Sequence, residues 1–484
     1  MAFHDLRAFI EQVRQHSCLR DVHGAARELE IGAITEVAAG MASPPALLFD
    51  RIPGYAPGYR VFTNPLMAPE RAAMALGLDP NLHPLQALRG WMKKRQGMQA
   101  VPPRLVDSAD WLQHRFHAER AGELDLMRIP APRWHRHDGG AYIGSGSIVV
   151  MRDPDNGWVN AAIYRVQVHG PARVTIQFDH LGRHGAVIAR KYWDAGKACP
   201  VAVISGDDPA LFVAGFEALP EGMSEFDFAG AIRGQAMDVM PGPITGLPIP
   251  AHAEIVFEGE LLPMQQESLP EGPFAEFTGY YAADQRPGPV MAVKALYHRD
   301  DPILLGSPPL KPPRFHVGLP FRAGGIWANL EAAGISDITG VWQHVSSLMT
   351  VIALRQRYDG HARRAAMIAA GNAYMGRLVV VVDEDIDPSN MNDVMWAIAT
   401  RCEPSESVDI LRRGWSSALD PRISPQDKAD GVSSNSKMII DACRPWTWRE
   451  SFPQPSALSI DEARAVHDKW RQVLEGGATQ AGKA

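Results

Sequence analysis

The stretch Asn160-Ala161-Ala162-Ile163-Tyr164-Arg165-Val166-Gln167-Val168 decides the reading of this chain, because it sets an arginine among apolar strand formers where another aliphatic residue is the ordinary expectation. Its surroundings repeat the strand texture. Residues 147–151, 158–168 and 172–178 read as strands, with Asp153-Pro154-Asp155-Asn156-Gly157 as the turn between the first two. The runs 253–262 and 290–297 continue the pattern. The middle of the chain is therefore expected to form a largely antiparallel sheet or barrel.

The flanks read differently. Leu6, Phe9, Ile10 and Val13 recur at helical spacing, and residues 15–110 mix helical and extended patterns, as in an α/β lobe. Ile129-Pro130-Ala131-Pro132 and Asp138-Gly139-Gly140 cannot continue a helix and mark a boundary. Beyond the proline-dense Pro308-Pro309-Leu310-Lys311-Pro312-Pro313, residues 346–358 and 361–373 are predicted as helices opening a second α/β lobe. In that lobe 378–382 reads as a buried strand, Asp383-Glu384-Asp385-Ile386-Asp387-Pro388 as a solvated acidic loop, and 390–401 as a helix with Ser389 as N-cap. Ser459 with Glu462 makes a capping box for a last helix carrying Ile460, Ala463, Val466, Trp470, Val473 and Leu474, a face of the kind that docks on another subunit.

Composition narrows the class. At 484 residues and roughly 150 per domain the chain divides into about three units. With 46% hydrophobic and 21% charged residues it can bury a real core. The balance of 48 basic against 55 acidic residues, a net charge of −7, leaves no footprint for nucleic acid or anionic lipid, so small-molecule chemistry is favoured. Cysteines 18, 199, 402 and 443 show no CxxC spacing, which argues against a zinc knuckle or a disulfide framework and fits a reducing cytosol. Met1-Ala2-Phe3-His4-Asp5 lacks the order of a signal peptide, and no run approaches the ~18 apolar residues of a membrane helix. A soluble, cytoplasmic protein is expected.

No GxSxG, HExxH, GxxxxGK[ST] or GxGxxG motif is present. The chemistry must lie in less formal patterns. A buried Arg165 needs an anionic partner, since an unpaired buried charge costs several kcal/mol. Glu271-Gly272-Pro273-Phe274-Ala275-Glu276 offers two carboxylates about a Gly-Pro bend, which can turn both towards one locus. An arginine facing one Glu holds a substrate carboxylate, and a second Glu in an apolar pocket delivers a proton. His135, His137, Asp138, His180 and His184, followed by Glu225, form a weaker, metal-like group. An Asn, a His and a Glu suit Mn²⁺ or Mg²⁺ bridging a phosphate better than structural zinc.

Taken together these segments resemble the UbiD family of reversible decarboxylases that use prenylated FMN. The matching residues are Asn160-x-x-x-Tyr164-Arg165, Arg183-His184-Gly185, Pro220-Glu221-Gly222-x-x-Glu225, Glu271-Gly272-Pro273-Phe274-x-Glu276-x-x-Gly279-Tyr280, and Asp385-Ile386-Asp387 leading into Val394 to Arg401. The resemblance implies an α+β fold: an N-terminal α/β lobe over 1–125, a central split antiparallel flavin-binding β-barrel over 126–320, and a C-terminal α/β oligomerisation lobe with a terminal helix over 321–484.

It also implies roles. Arg165, Glu271 and Glu276 fall on the family's catalytic network. Asn160, His184 and Glu225 fall on ligands of a divalent metal, Mn²⁺ or Mg²⁺, that clamps the flavin phosphate beside K⁺; the match at Arg183-His184 permits a one-residue slip, and His180 is a second candidate. The backbone of Ala161, Ala162, Ile163 and Tyr164 would line the flavin with Arg183 beside it, and Arg377 would meet the phosphate where many relatives have lysine. Ala275 stands where many relatives have glycine. Decarboxylation at an sp² carbon needs an electron sink that no side chain supplies. In relatives the modified flavin bonds covalently to the substrate. Arg165 would orient the leaving carboxylate, Glu271 would hold Arg165, and Glu276 would protonate the carbon after CO₂ leaves. The implied partners are an aromatic or heteroaromatic acid, CO₂, a flavin prenyltransferase that supplies the cofactor, and further copies of the chain in a homodimer or homohexamer. Competing readings are a family member acting on cinnamate-like or polyprenyl-hydroxybenzoate acids, a flavin reductase, which would not need Glu271 and Glu276 beside an arginine, or a metal-bound binding protein, which would show no ¹³CO₂ or H/D exchange into candidate acids.

Overall fold

The run 158–168 forms two strands, parted at Tyr164, and this break organises the whole sheet. The computed structural model describes residues 3–143, 145–178, 182–217, 219–312, 317–372, 375–456, 458 and 460–475. Nine strands build the central sheet: β1 His114–His117, β2 Ile148–Arg152, β3 Val159–Ile163, β4 Arg165–Val168, β5 Arg173–Gln177, β6 Cys199–Ser205, β7 Ile255–Leu261, β8 Ser268–Glu271 and β9 Arg286–His298. The path runs β3-β2-β6-β7-β9-β5-β4, with β1 and β8 also paired to β9, and every pairing is antiparallel. Its two end strands, β3 and β4, are consecutive in sequence with one residue between them. A twisted sheet whose ends are joined by a single residue has to curl until those ends meet.

Both faces of this sheet are covered. On β6, Cys199, Val201 and Val203 enter one apolar core while Ala202 and Ile204 enter the other. Each fully buried valine or isoleucine contributes ~1.5–3 kcal/mol, so β6 is fixed from both sides. Helix α1 (His184–Asp194) packs Ala186, Ile188 and Ala189 into one core. Helices α2 (Pro209–Phe216) and α3 (Glu225–Arg233) fill the other. Proline at the first position of α2 and the Asp208 side chain on Ala210 N start that helix; the Ser224 side chain on Phe226 N starts α3, which ends at Gly234 with φ 72°.

A four-stranded sheet combines Leu19–His23, Ala46–Asp50 and Arg60–Thr63 with Ile303–Gly306, so the chain returns to its N-terminal part after leaving β9. A five-stranded mixed sheet holds Ile338–His344, Met349–Leu354, Leu378–Asp383, Ser434–Ala442 and Val408–Trp415 in that order. The fold is mixed α+β. Among the described residues no helix is long and apolar enough to cross a membrane. All four cysteines are free.

Three local expectations need correction. Residues 346–358 do not form a helix: Met349–Leu354 is a fully buried strand between two others, a place that suits the β-branched Thr350-Val351-Ile352. The N-cap of Met391–Arg401 is Asn390, whose side chain accepts from Asn392 N, because the Ser389 hydroxyl is committed to Asp387. The acidic loop is not wholly solvated. Asp383 is 2% exposed and accepts from Arg401 and Arg444. The helices at 361–372 and 460–475 are as expected, while residue 373 and Ser459 lie outside the described residues.

Candidate active site

Arg165 opens β4 immediately after the break, and Glu271 closes β8. The guanidinium grips Glu271 through two parallel bonds, Nε to Oε1 at 2.8 Å and Nη2 to Oε2 at 2.9 Å. This is the bidentate fork that makes arginine the preferred partner of a buried carboxylate. Nη1 donates to Glu276 Oε1 at 2.7 Å. The side chains are 10% (Arg165), 1% (Glu271) and 12% (Glu276) exposed, so Glu271 is sealed while the other two keep a small contact with solvent. Arg165 also lies over the Phe274 ring, 5.4 Å from its centroid.

The Gly-Pro bend does what its spacing suggested. Gly272 takes φ 79°, a conformation natural to glycine, and the chain turns back so that both carboxylates meet one guanidinium. Glu276 N bonds to Tyr280 O, and Gly279 N to Glu276 O, which close the loop on itself. Asp138 anchors it from outside: its Oδ1 accepts from the Tyr281 hydroxyl at 3.2 Å and from Ala275 N at 3.4 Å. His135 lies beside the same carboxylate, at 3.6 Å, so the His135–Asp138 part of the metal-like group serves this loop instead.

On the β3 side, Glu225 opens α3 and points at the free edge of the sheet. Its Oε2 accepts from Ala161 N at 2.7 Å, satisfying an edge N–H that has no strand to pair with. Its Oε1 accepts from Asn160 Nδ2 at 2.8 Å. Asn160 is 1% exposed, and its Oδ1 is buried without a hydrogen-bond partner. Burial pushes the Glu225 carboxyl up to about 7. An orphaned amide oxygen beside a desolvated carboxylate is a donor pair that a cation would complete. His184 opens α1, with its ring 4.8 Å from that of Trp158, and burial lowers its pKa, which favours the neutral, ligating imidazole. Among the described residues no three His, Cys, Asp or Glu side chains form a metal-holding group. The Asn160, His184 and Glu225 set contains only two residues of those types.

The remaining expected residues are placed as follows. Tyr164, in the break, is buried against Phe178, and its hydroxyl accepts from Gly185 N. Arg183 stacks over the Tyr164 ring and donates to Ile163 O at 3.4 Å; as N-cap of α1 it makes no side-chain capping bond. Ala161 and Ala162 are buried in β3, and Ile163 packs at the edge of the α2–α3 core. Arg377 lies ahead of Leu378–Asp383 and is ion-paired to Asp420 in the C-terminal part of the chain. His180 lies outside the described residues. Sequence reading missed Tyr142 and Gln167, which support the carboxylate loop, and gave Asp138 a metal-like role where it anchors that loop.

Three family models match the chain in order: the 3-octaprenyl-4-hydroxybenzoate carboxy-lyase N-terminal domain over 10–88, its Rift-related domain over 105–312 and its C-terminal domain over 318–442. The chain is 31% identical to a phenolic acid decarboxylase of Bacillus subtilis, over 98% of this chain and 99% of that one. It is 30% identical to a pyrrole-2-carboxylic acid decarboxylase of Pseudomonas aeruginosa, again over 98% and 99%. Among solved structures it is similar to the UbiD-class enzyme HmfF from Pelotomaculum thermopropionicum in complex with FMN, at 29% identity and TM-score 0.83, covering 95% of this chain and 98% of that one. An evolved dimeric form of HmfF in complex with prFMN aligns at 28% identity, TM-score 0.79 and the same coverage. Matched along nearly its full length by sequence and by fold, the chain belongs to the UbiD family.

Proposed function

We propose that this protein is a reversible, non-oxidative carboxy-lyase acting on an aromatic or heteroaromatic carboxylic acid with prenylated FMN. The observation that carries the reading is one guanidinium shared by two carboxylates, all three side chains largely buried. Such a cluster holds one positive and two negative charges. It accepts an anionic substrate only if one carboxyl is protonated, and Glu276, the more exposed and the more weakly bonded to Arg165, is suited to carry that proton. Arg165 would then orient the substrate carboxylate, Glu271 would hold Arg165, and Glu276 would protonate the ring carbon once CO₂ has left. The bound flavin would supply the electron sink for the departing carboxylate. The names of the phenolic acid and pyrrole-2-carboxylic acid decarboxylases support a flat ring as substrate, as does Phe274 beneath Arg165.

Asn160 Oδ1, the Glu225 carboxylate and His184 would hold Mn²⁺ or Mg²⁺, with K⁺ nearby, to seat the flavin phosphate against Arg183 and the start of α1. Arg377 would have to exchange Asp420 for the phosphate to take part. The central sheet would be the flavin-binding barrel, and the C-terminal lobe with its last helix would join copies into a dimer or hexamer. A flavin prenyltransferase would provide the cofactor. The test is mass spectrometry and absorbance of protein produced with a flavin prenyltransferase and purified without oxygen, followed by a panel of aromatic acids. A bound modified flavin and CO₂ release are expected. Protein without any flavin would overturn the reading.

A further inference from the structure

Behind Arg165 lies an uncharged network that none of these steps uses. Tyr142 is fully buried, with its ring 4.4 Å from that of Phe274. Its hydroxyl lies 3.1 Å from Gln167 Oε1 and 3.5 Å from Glu271 Oε1. Gln167 is two residues beyond Arg165 on β4, hence on the same face, and is 3% exposed. Its Oε1 also accepts from Gly272 N at 2.9 Å. A backbone N–H can only donate, so the amide oxygen of Gln167 must face Gly272, and the phenol supplies the remaining proton. Burial, and Glu271 after it, raise the Tyr142 pKa far above the ordinary range, so this hydroxyl stays a donor. On the far side a Cβ at Gly139 would come within 1.9 Å of Gly272 O, so the turn has no room to shift that way.

Resting on the decarboxylase reading above, we propose that Tyr142 and Gln167 are positioning residues for proton transfer: they fix the Glu271 carboxylate and the Gly272 peptide, and through them the reach of Arg165 to Glu276. Glu271 is held by the guanidinium fork, and on its other side the single phenol proton, centred on Gln167, is shared more weakly with Glu271 Oε1 and Pro273 O, both at 3.5 Å. Without the phenol it can rotate, Arg165 follows it, and the contact with Glu276 loosens. The effect falls on the transfer step and spares substrate binding.

The test compares wild type, Tyr142→Phe, Gln167→Met and the double variant, each loaded with cofactor and assayed on phenolic acids and pyrrole-2-carboxylic acid. Each single variant is expected to lower kcat about tenfold, with KM changed less than about threefold, the scale of one hydrogen bond to a charged group. The double variant should be little worse than either single one, because the two residues act as a unit. Infrared difference spectra of the cofactor-free full chain give a second readout. The carboxylate band that vanishes in Glu271→Gln should shift in Tyr142→Phe. Unchanged kcat with an unshifted band overturns the proposal, as does a loss confined to KM. If Tyr142→Phe fails to fold, Gln167→Met, which keeps the phenol, carries the same kcat expectation. If wild type turns over none of the acids, the decarboxylase reading fails on this panel, and the infrared band still decides the positioning.

Discussion

Arg165, Glu271 and Glu276 are one cluster, yet each should fail differently when changed. Arg165→Met leaves the sealed Glu271 carboxylate without its cation, and breaking a buried pair costs about 3–5 kcal/mol, so a large fall in melting temperature is expected by calorimetry. Glu276→Gln keeps the shape and a hydrogen-bond acceptor. It should melt like wild type and retain flavin while turnover drops about a hundredfold or more, measured as CO₂ release. Full turnover in that variant would remove the proton-donor role. The cluster was legible in the sequence because a charge inside a strand demands a partner, and Gly272-Pro273 showed how two glutamates five apart could both supply it. Tyr142 and Gln167 were not, since a neutral polar residue in a strand makes no such demand. The one available signal was that Gln167 shares the face of Arg165.

At the corner between β6 and α2, Asp207 and Asp208 are buried side by side, 7% and 2% exposed. Arg233 stands 3.1 Å from Asp208, though not in hydrogen-bonding geometry, and Asp207 has no cation of its own among these contacts. Burial first, then the charges of Asp208 and Asp5, push the Asp207 carboxyl up to about 8, against the backbone bond from Asp208 and the attraction of Arg233. The folded state therefore holds a proton that the unfolded chain has released above its ordinary carboxylate range. The contribution of this one carboxyl to stability is greatest at low pH and falls as pH rises to about 8, where the folded form also ionises. Asp207→Asn should remove this loss, so its melting-temperature advantage over wild type should grow from pH 5 to about 8 and then level off. An advantage independent of pH would exclude the mechanism. Strand and helix types were legible to different degrees here too. The apolar run before Asp383 declared itself, but Met349–Leu354 reads as helix or strand by periodicity alone, and only its place between two strands decides.

At the scale of the molecule, the last described helix leaves an apolar face exposed. On the helix Ile460–Glu475, Val466, Trp470, Val473 and Leu474 are each about half exposed or more, which is unusual for an isolated chain. If copies associate through it, Trp470→Asp with Val473→Asp should lower the mass seen by light scattering to that of one chain without changing the melting of the central sheet. An unchanged mass would place the contact elsewhere. The central antiparallel sheet was readable from where strand texture begins and ends, but the return of Ile303–Gly306 to the N-terminal sheet was not, because pairing between distant strands leaves no local mark. The curl of the central sheet has a last consequence. Asn160, with Glu225 against it, sits on one lip of its seam and Arg165 on the other, and only Tyr164 separates the two strands that form those lips. In the proposed mechanism, holding the cofactor and moving the proton would fall to opposite lips. Asn160→Ala should empty the pocket of metal and flavin, Glu276→Gln should leave it full and idle, and the pair should combine without interaction in both metal content and flavin retention. On that reading, the connectivity of two adjacent strands would itself keep the two tasks apart.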